Sequence, residues 1–374
     1  MLMPPFRIIS FALLLVTLAV NISMPLFRVY AAEAGLNNGQ TALVLAAYIT
    51  GMLPCYVFLG GISDRIGRKP VLIVSVFCSF LATLVITIFP NVTALVFARM
   101  LQGVALALSM GTGTAYLTEV LYPDKNAPTK AANLASLSTA IGFSGGALAT
   151  TLYLLVDFQL VPPTYYLLLG ITFIGLILLF TLPNPKPIGG NILRLPYFPK
   201  GSFPVNMAIA ICWAATGTVI AIIPTQLAKF HLTPYAGFCL VLINWTGAFL
   251  QPFIRKNDPK QSVRIGYVLV PLGFGLVVLG SHLGQLWVIL SGTTLVGLAA
   301  YGFSYVGGLA LIANYGGVQR ARAVSGYMFM GYIGFGIPAI FLGYLSDHVG
   351  IVNALLVFEV VITALTVYLL RIFR

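Results

Sequence analysis

Charge is nearly missing from this chain of 374 residues: Asp, Glu, Lys and Arg make up 7% of it, against about 25% in an ordinary soluble domain. Acid is the scarcer sign, with 8 Asp and Glu against 20 Lys and Arg. A chain so poor in charge and 59% hydrophobic cannot cover itself with a water-facing surface. The soluble globular class is excluded, and a polytopic membrane protein is expected. Histidine is also sparse; His231, His282 and His348 show no metal-ligand spacing. The four cysteines, Cys55, Cys78, Cys212 and Cys239, fall inside apolar runs without paired spacing, which assigns them to packing. No G-x-x-x-x-G-K-[ST] phosphate loop and no catalytic triad can be read, so neither an enzyme nor an ATP-driven pump is indicated. No cofactor or metal is expected, and the energy source is an ion or substrate gradient.

What the chain has in abundance is apolar runs. Each crossing needs about 20 mainly apolar residues. Runs broken by charged or Pro/Gly/Asn turns give twelve spans, near 8–30, 41–62, 70–89, 92–118, 131–155, 163–183, 204–228, 235–254, 265–281, 287–313, 323–345 and 350–371. The first run, from Arg7 to Ala34, is longer than the apolar part of a cleaved signal, and is read as a retained helix. With a cytoplasmic N-terminus, the inward connections hold every basic residue except Arg28, Arg99 and Lys229. That asymmetry places both termini, including Arg371 and Arg374, in the cytoplasm of an inner-membrane protein. The net charge of +12 therefore reads as membrane anchoring; its bases are spread over short loops, and nucleic acid is not an expected partner. Residues 184–203 combine turn formers with bases and separate residues 1–183 from 204–374, a short cytoplasmic linker between six-helix halves.

The most specific motif is Gly60-Gly61-Ile62-Ser63-Asp64-Arg65-Ile66-Gly67-Arg68-Lys69. Gly60 and Asp64 lie one helical turn apart at the end of an apolar run and share a face, which a second helix could approach closely. Gly67 then turns the chain, and Pro70 suits the start of the next helix. This stretch resembles the G-x-L-x-D-R-x-G-R-K signature between helices 2 and 3 of the major facilitator superfamily, with Ile62 for Leu. The resemblance implies an all-α membrane protein of twelve transmembrane helices, in two six-helix halves built of inverted three-helix repeats, working by alternating access. It also implies that Glu119 pairs with Arg68 or Arg65, and that Asp64 faces the inner end of helix 11; a solvated surface acid is the other reading of Glu119.

An echo of the signature appears at Gly343-Tyr344-Leu345-Ser346-Asp347-His348-Val349-Gly350. In inverted triplets, helices 2 and 11 are equivalent, so Asp64 and Asp347 would latch opposite faces. Gly-x-x-Ser-Asp is also an ordinary way to end a helix, and both readings stand.

Arg99-Met-Leu-Gln102-Gly103 resembles the R-x-x-Q-G motif of the superfamily's antiporters, which links the arginine to proton coupling. Within a span, Arg99 either faces a polar cavity or partner or snorkels to the interface. Gly142-Phe-Ser-Gly145-Gly146-Ala147 stands where the drug antiporter signature has G-P-x-x-G-G; the proline is absent, and a small-residue face for close packing is left. Glu359, in the last span, is a proton carrier or a hydrogen-bonded structural acid. Helix 1 carries Asn21 and no acid, so Arg99 and Arg28 favour anionic or zwitterionic cargo over organic cations. Tyr48, Ser109, Trp213, Thr216, Asn244, Trp245, Tyr301, Tyr305, Asn314 and Tyr327 are the further candidates for the cavity wall, with lipid-facing or packing roles equally open. Pro54, Pro224, Pro252 and Pro338 mark places to bend.

The expected function is proton-linked export of a small amphiphilic organic molecule: a drug-like compound, an anionic metabolite or a siderophore. Proton-coupled uptake of a similar metabolite is the alternative, and a lipid flippase stands behind it. The expected partners are a small-molecule substrate, protons and membrane lipid, with the protein a monomer.

Overall fold

The computed structural model describes residues 3–187, 189 and 191–373; Arg374 and the linker residues Ile188 and Gly190 lie outside them. All regular structure among the described residues is helical. Eight helices come first: α1 (Pro5–Asn21), α2 (Phe27–Glu33), α3 (Asn38–Phe58), α4 (Ile62–Ile66), α5 (Arg68–Ile88), α6 (Val92–Leu121), α7 (Ala127–Leu154) and α8 (Pro163–Phe180). After the linker follow α9 (Phe203–Lys229), α10 (Ala236–Ile254), α11 (Pro259–Leu283), α12 (Leu286–Gly297), α13 (Tyr305–Gly316), α14 (Arg320–Val349) and α15 (Ile351–Ile372). A 3-10 turn (Met24–Leu26) separates α1 from α2, and a π-helical stretch (Leu298–Ser304) joins α12 to α13.

Local chemistry explains many of the boundaries. Pro5, Pro163 and Pro259 occupy first helical positions, where the missing N–H is no loss. Asn91 and Asp258 cap α6 and α11 by accepting from Ala94 N and Gln261 N, each at 2.9 Å. Pro54, Pro224 and Pro252 sit inside helices that continue past them.

Among the described residues, eleven segments are long and apolar enough to cross a membrane, one of them the 64-residue stretch Leu286–Val349. The surface fits that reading: Phe77, Phe173, Phe341 and Val360 are each more than half exposed. In water such a shell would be untenable; in hydrocarbon it costs nothing. The chain is a multi-pass membrane protein.

One expected boundary moves. The second span does not run on to 62: α3 stops at Phe58, and a turn at 59–61 precedes the separate helix α4. Gly60 and Gly61 are weak helix formers, and Gly61 N donates to Ile192 O at 2.8 Å, away from its own helix. Gly60 and Asp64 therefore do not lie one turn apart on a common helix.

The chain sorts into two compact units, Met1–Tyr30 with Ala47–Arg194, and Ala31–Ala46 with Leu195–Arg374. Helix α3 thus gives its first residues to the second unit and the rest to the first. The core of the first unit gathers Ile9, Leu13, Val16, Leu72, Val76, Tyr116, Leu117 and Leu179. Here α7 lies hard against α1, since a Cβ on Gly142 would meet Thr17 Oγ1 at 1.9 Å and one on Gly146 would meet Leu18 O at 2.3 Å. The small-residue stretch of α7 is a packing face.

In the second unit α9 and α14 are the most closely associated pair. A Cβ on Gly217 would stand 2.1 Å from Phe335 O, and one on Gly334 would stand 2.3 Å from Ala210 O. Gly217→Ala is therefore expected to lower stability by roughly 1–3 kcal/mol, as overpacking does. Thermal unfolding in detergent checks this, with Gly111→Ala as control, because nothing lies within 4 Å of a Cβ there.

Candidate gating and coupling site

The signature loop is an ion cluster. Gly67, at φ +100°, ends α4 in a conformation that favours glycine. It delivers Arg68 back onto the helix just finished. Arg68 pairs with Asp64, donates from Nη1 to Ser63 Oγ at 2.6 Å and from Nε to Glu119 Oε1 at 3.0 Å. The side chains of Arg68 and Asp64 are 11% and 14% exposed, so the cluster is poorly screened by water. Lys69 Nζ donates to Phe180 O and Leu182 O, both at 2.8 Å, closing the C-terminal end of α8 with a cation. Arg65 is exposed, and Arg68 is the residue that reaches Glu119.

Asp64 has a further partner within its own unit: its second carboxylate oxygen accepts from Arg194, a linker residue. In sequence the linker reads only as a spacer. Its basic residues Lys186, Arg194 and Lys200 were the available signal, but nothing in their spacing says which of them returns to the loop.

The echo uses its carboxylate on main-chain amides, where Asp64 meets arginines. Asp347, in the last turn of α14, accepts from Asn38 N through Oδ1 and from Gly39 N through Oδ2, each at 2.9 Å. A carboxylate thus takes up two of the orphan amides at the start of α3, against the positive end of its dipole. Gly343, one turn back, lets the helices meet: its Cβ would stand 2.9 Å from Asn38 O and 3.0 Å from Ala42 Cβ. Gly343 and Asp347 both meet the start of α3.

Arg99 does not snorkel. It is 1% exposed and donates from Nη1 to Val20 O at 2.8 Å and to Gln102 Oε1 at 3.0 Å, while Gln102 Nε2 donates to Ala19 O at 2.7 Å. Helix α1 ends at Asn21, so carbonyls 19 and 20 have lost their intrahelical donors. The guanidinium lies 4.8 Å from the Tyr48 ring centre and 5.7 Å from that of Phe27. Arg99 and Gln102 together cap a helix that stops inside the protein. Asn21 adds a tie to α7, donating to Phe143 O at 2.7 Å.

Residues 9–256 match the family model of the Major Facilitator Superfamily. The chain belongs to the major facilitator superfamily. An uncharacterized transporter of Buchnera aphidicola is 24% identical over 338 residues, covering 84% of this chain and 78% of the relative. Multidrug resistance protein MdtM of Escherichia coli is 26% identical over 284 residues, covering 69% and 67%. Among solved structures, the nucleoside transporter NupG (D323A mutant) has a TM-score of 0.78 at 14% identity over 99% of each chain, a likeness of fold.

As a major facilitator transporter, the protein acts on a small molecule, and the remaining candidates can be placed. Trp213 packs edge-on against Tyr332 with centroids 4.8 Å apart, and tilted against Tyr301 at 5.6 Å. Tyr332 was missed because nothing in its spacing separates it from the other tyrosines. Tyr327 is fully buried, with its hydroxyl donating to Ser304 O at 2.7 Å, a tie between helices. Asn244, Ser109 and Thr216 bond to carbonyls of their own helices, Leu240, Leu106 and Cys212. Trp245 lies edge-on to Phe249 of its own helix. Tyr305 and Arg28 are half-buried, and Asn314 is exposed near the end of α13. Glu359 accepts from Thr363 Oγ1 at 3.0 Å and stands beside Gly275, whose Cβ would be 3.5 Å from Oε1.

Arg99→Ala is expected to cost roughly 1–3 kcal/mol for the Val20 carbonyl it abandons, and to speed amide exchange in the last turn of α1. Wild-type stability in the variant would reject the capping role. For Asp347→Asn the expected loss is roughly 0.5–2 kcal/mol, since the shape persists and the charge at the start of α3 does not. Exchange at Asn38 and Gly39 should rise with it.

Proposed function

We propose that this transporter exports small amphiphilic organic molecules by proton-linked alternating access. The observation that carries the reading is the likeness to a multidrug resistance protein over 69% of the chain. The antiporter-like Arg99 and Gln102, held at a break in α1, support it. Leu286–Val349 at 64 residues has length for two crossings at about 20 residues each, with a turn at Gly317–Gln319 between them. We read twelve crossings, both termini cytoplasmic, in a bacterial-type inner membrane. Residues 1–183 and 204–374 are then six-helix halves of inverted three-helix repeats, and the protein works as a monomer.

In this reading Asp64 belongs to the inner latch and Asp347 to the outer one. Since the geometry commits Arg99 to the carbonyls of α1, its charge acts first on the shape of that helix. Drug-like, anionic and siderophore-like cargo all remain within the proposal.

The test is transport in sealed vesicles with a panel of amphiphilic fluorescent dyes, with the proton gradient on or off. Export that collapses with the gradient supports the reading. Gradient-independent exchange rejects proton linkage, and inward accumulation rejects export. In Glu359→Gln, gradient-driven accumulation should be lost while dye binding stays, because the amide keeps the Thr363 contact and cannot titrate. Arg99→Lys should insert and fold yet lose most transport, since an ammonium cannot reproduce the planar fork.

A further inference from the structure

Gly189 and residues 191–194 lie along the signature loop. Gly61 N donates to Ile192 O at 2.8 Å, Gly189 N to Asp64 O at 2.9 Å and Arg194 N to Val57 O at 3.3 Å. Arg194 adds its ion pair to Asp64. The approach leaves no room for a side chain at Gly61, where a Cβ would stand 2.1 Å from Asn191 O; a Cβ on Gly60 would meet Tyr56 O at the end of α3 at 2.7 Å and reach only ordinary contact with Arg194 Cβ at 3.4 Å. Gly61 serves this contact. All of it falls within the first unit, whose last residue is Arg194. The next residues are bonded within the second unit, where Leu195 O accepts from Arg322 Nε at 3.0 Å and Tyr197 N donates to Arg322 O at 3.1 Å.

Asp64 is gripped by two arginines of unequal permanence. Arg68 takes Oδ1, is itself fixed by Ser63 and Glu119, and is 11% exposed. Arg194 takes Oδ2 and is 37% exposed. It extends from a stretch without helix, in which Pro185 and Pro187 have no N–H to contribute. Arg194 is the more exposed of the two arginines and stands on a stretch without helix, so its pair is more open to screening by salt than that of Arg68.

We propose that Gly189 and residues 191–194 form a releasable strap on the inner latch, with Arg194 as the positioning residue that clasps it. While the strap is closed, Oδ2 of Asp64 is occupied; when it lifts, that oxygen is freed for the partner that the transport cycle brings. The proposal rests on the reading of this loop as the inner latch.

Hydrogen exchange of the full-length protein in lipid nanodiscs tests the clasp. In Arg194→Gln and, separately, in Gly61→Ala, exchange at Gly61, Gly189 and Arg194 (residue 194 in either variant) should rise about tenfold, while α5 and α6 keep their protection. Raised salt should reproduce the effect in the wild type. Unchanged exchange in Arg194→Gln overturns the clasp. Release is tested by a lock. A Cβ on residue 60 stands 3.4 Å from that of residue 194, a tenth of an ångström short of the roughly 3.5–4.5 Å of a disulfide, so Gly60→Cys with Arg194→Cys in a background without the native cysteines should bind the strap shut, the reduced form controlling for the approach of the new side chain to Tyr56 O. Oxidation should then stop transport of a dye that the wild type moves, and reduction should restore it. Undiminished transport by the locked form overturns release. A wild type that moves no dye of the panel defeats the transport reading, and the clasp is then decided by exchange alone.

Discussion

A helix that ends within reach of hydrocarbon leaves amides and carbonyls that no water can satisfy, and closing those ends is the constraint on which this structure depends. Three side-chain devices meet it. Arg99 and Gln102 take the carbonyls of Val20 and Ala19 where α1 stops. Lys69 takes those of Phe180 and Leu182 beyond α8, and Asp347 takes the amides of Asn38 and Gly39 where α3 starts. In each case the charge has the sign that the helix dipole favours. Arg99, Lys69 and Asp347 are thus spent where the backbone is incomplete.

Glycine does the complementary work. Without a hydrophobic drive between helices in lipid, association rests on close packing and hydrogen bonds. Gly142 and Gly146 bring α7 onto α1, Gly217 and Gly334 join α9 to α14, and Gly343 lets Asp347 reach α3. The same residue type opens the signature loop to the linker chain at Gly61. A glycine in this chain therefore marks a neighbour at contact distance more often than a point of bending.

Much of this was legible beforehand, because membrane helices impose a simple length and polarity rule. The segments from Arg68–Ile88 through Ala127–Leu154 fall close to where the apolar runs put them. The choice of partner was not legible. Asp64 to Arg194 spans 130 positions, and the deciding contacts are main-chain bonds whose donors and acceptors every residue carries. For Arg99 the sequence left two environments open, and only the stop of α1 at Asn21 explains why a guanidinium is tolerated in full burial. The aromatic candidates fared differently from one another: Trp213 and Tyr301 meet, whereas Tyr327 spends its hydroxyl on Ser304. Composition reveals that such rings are present, and not which of them face one another.

The π-helical stretch at Leu298–Ser304 has a consequence of phase. A π turn accommodates about one residue more than an α turn, and each residue in a helix advances the side chains by roughly 100°. The angular count that places Ile289 or Thr293 on one side of α12 is therefore reset before α13 begins. The Tyr301 carbonyl accepts from Gln251 Nε2 at 3.1 Å, on α10, so a neighbouring helix is bonded within the stretch where the count changes. The two ends of this apolar rod present their stripes independently, and the face on which Asn314 stands cannot be inferred by stepping along from α12.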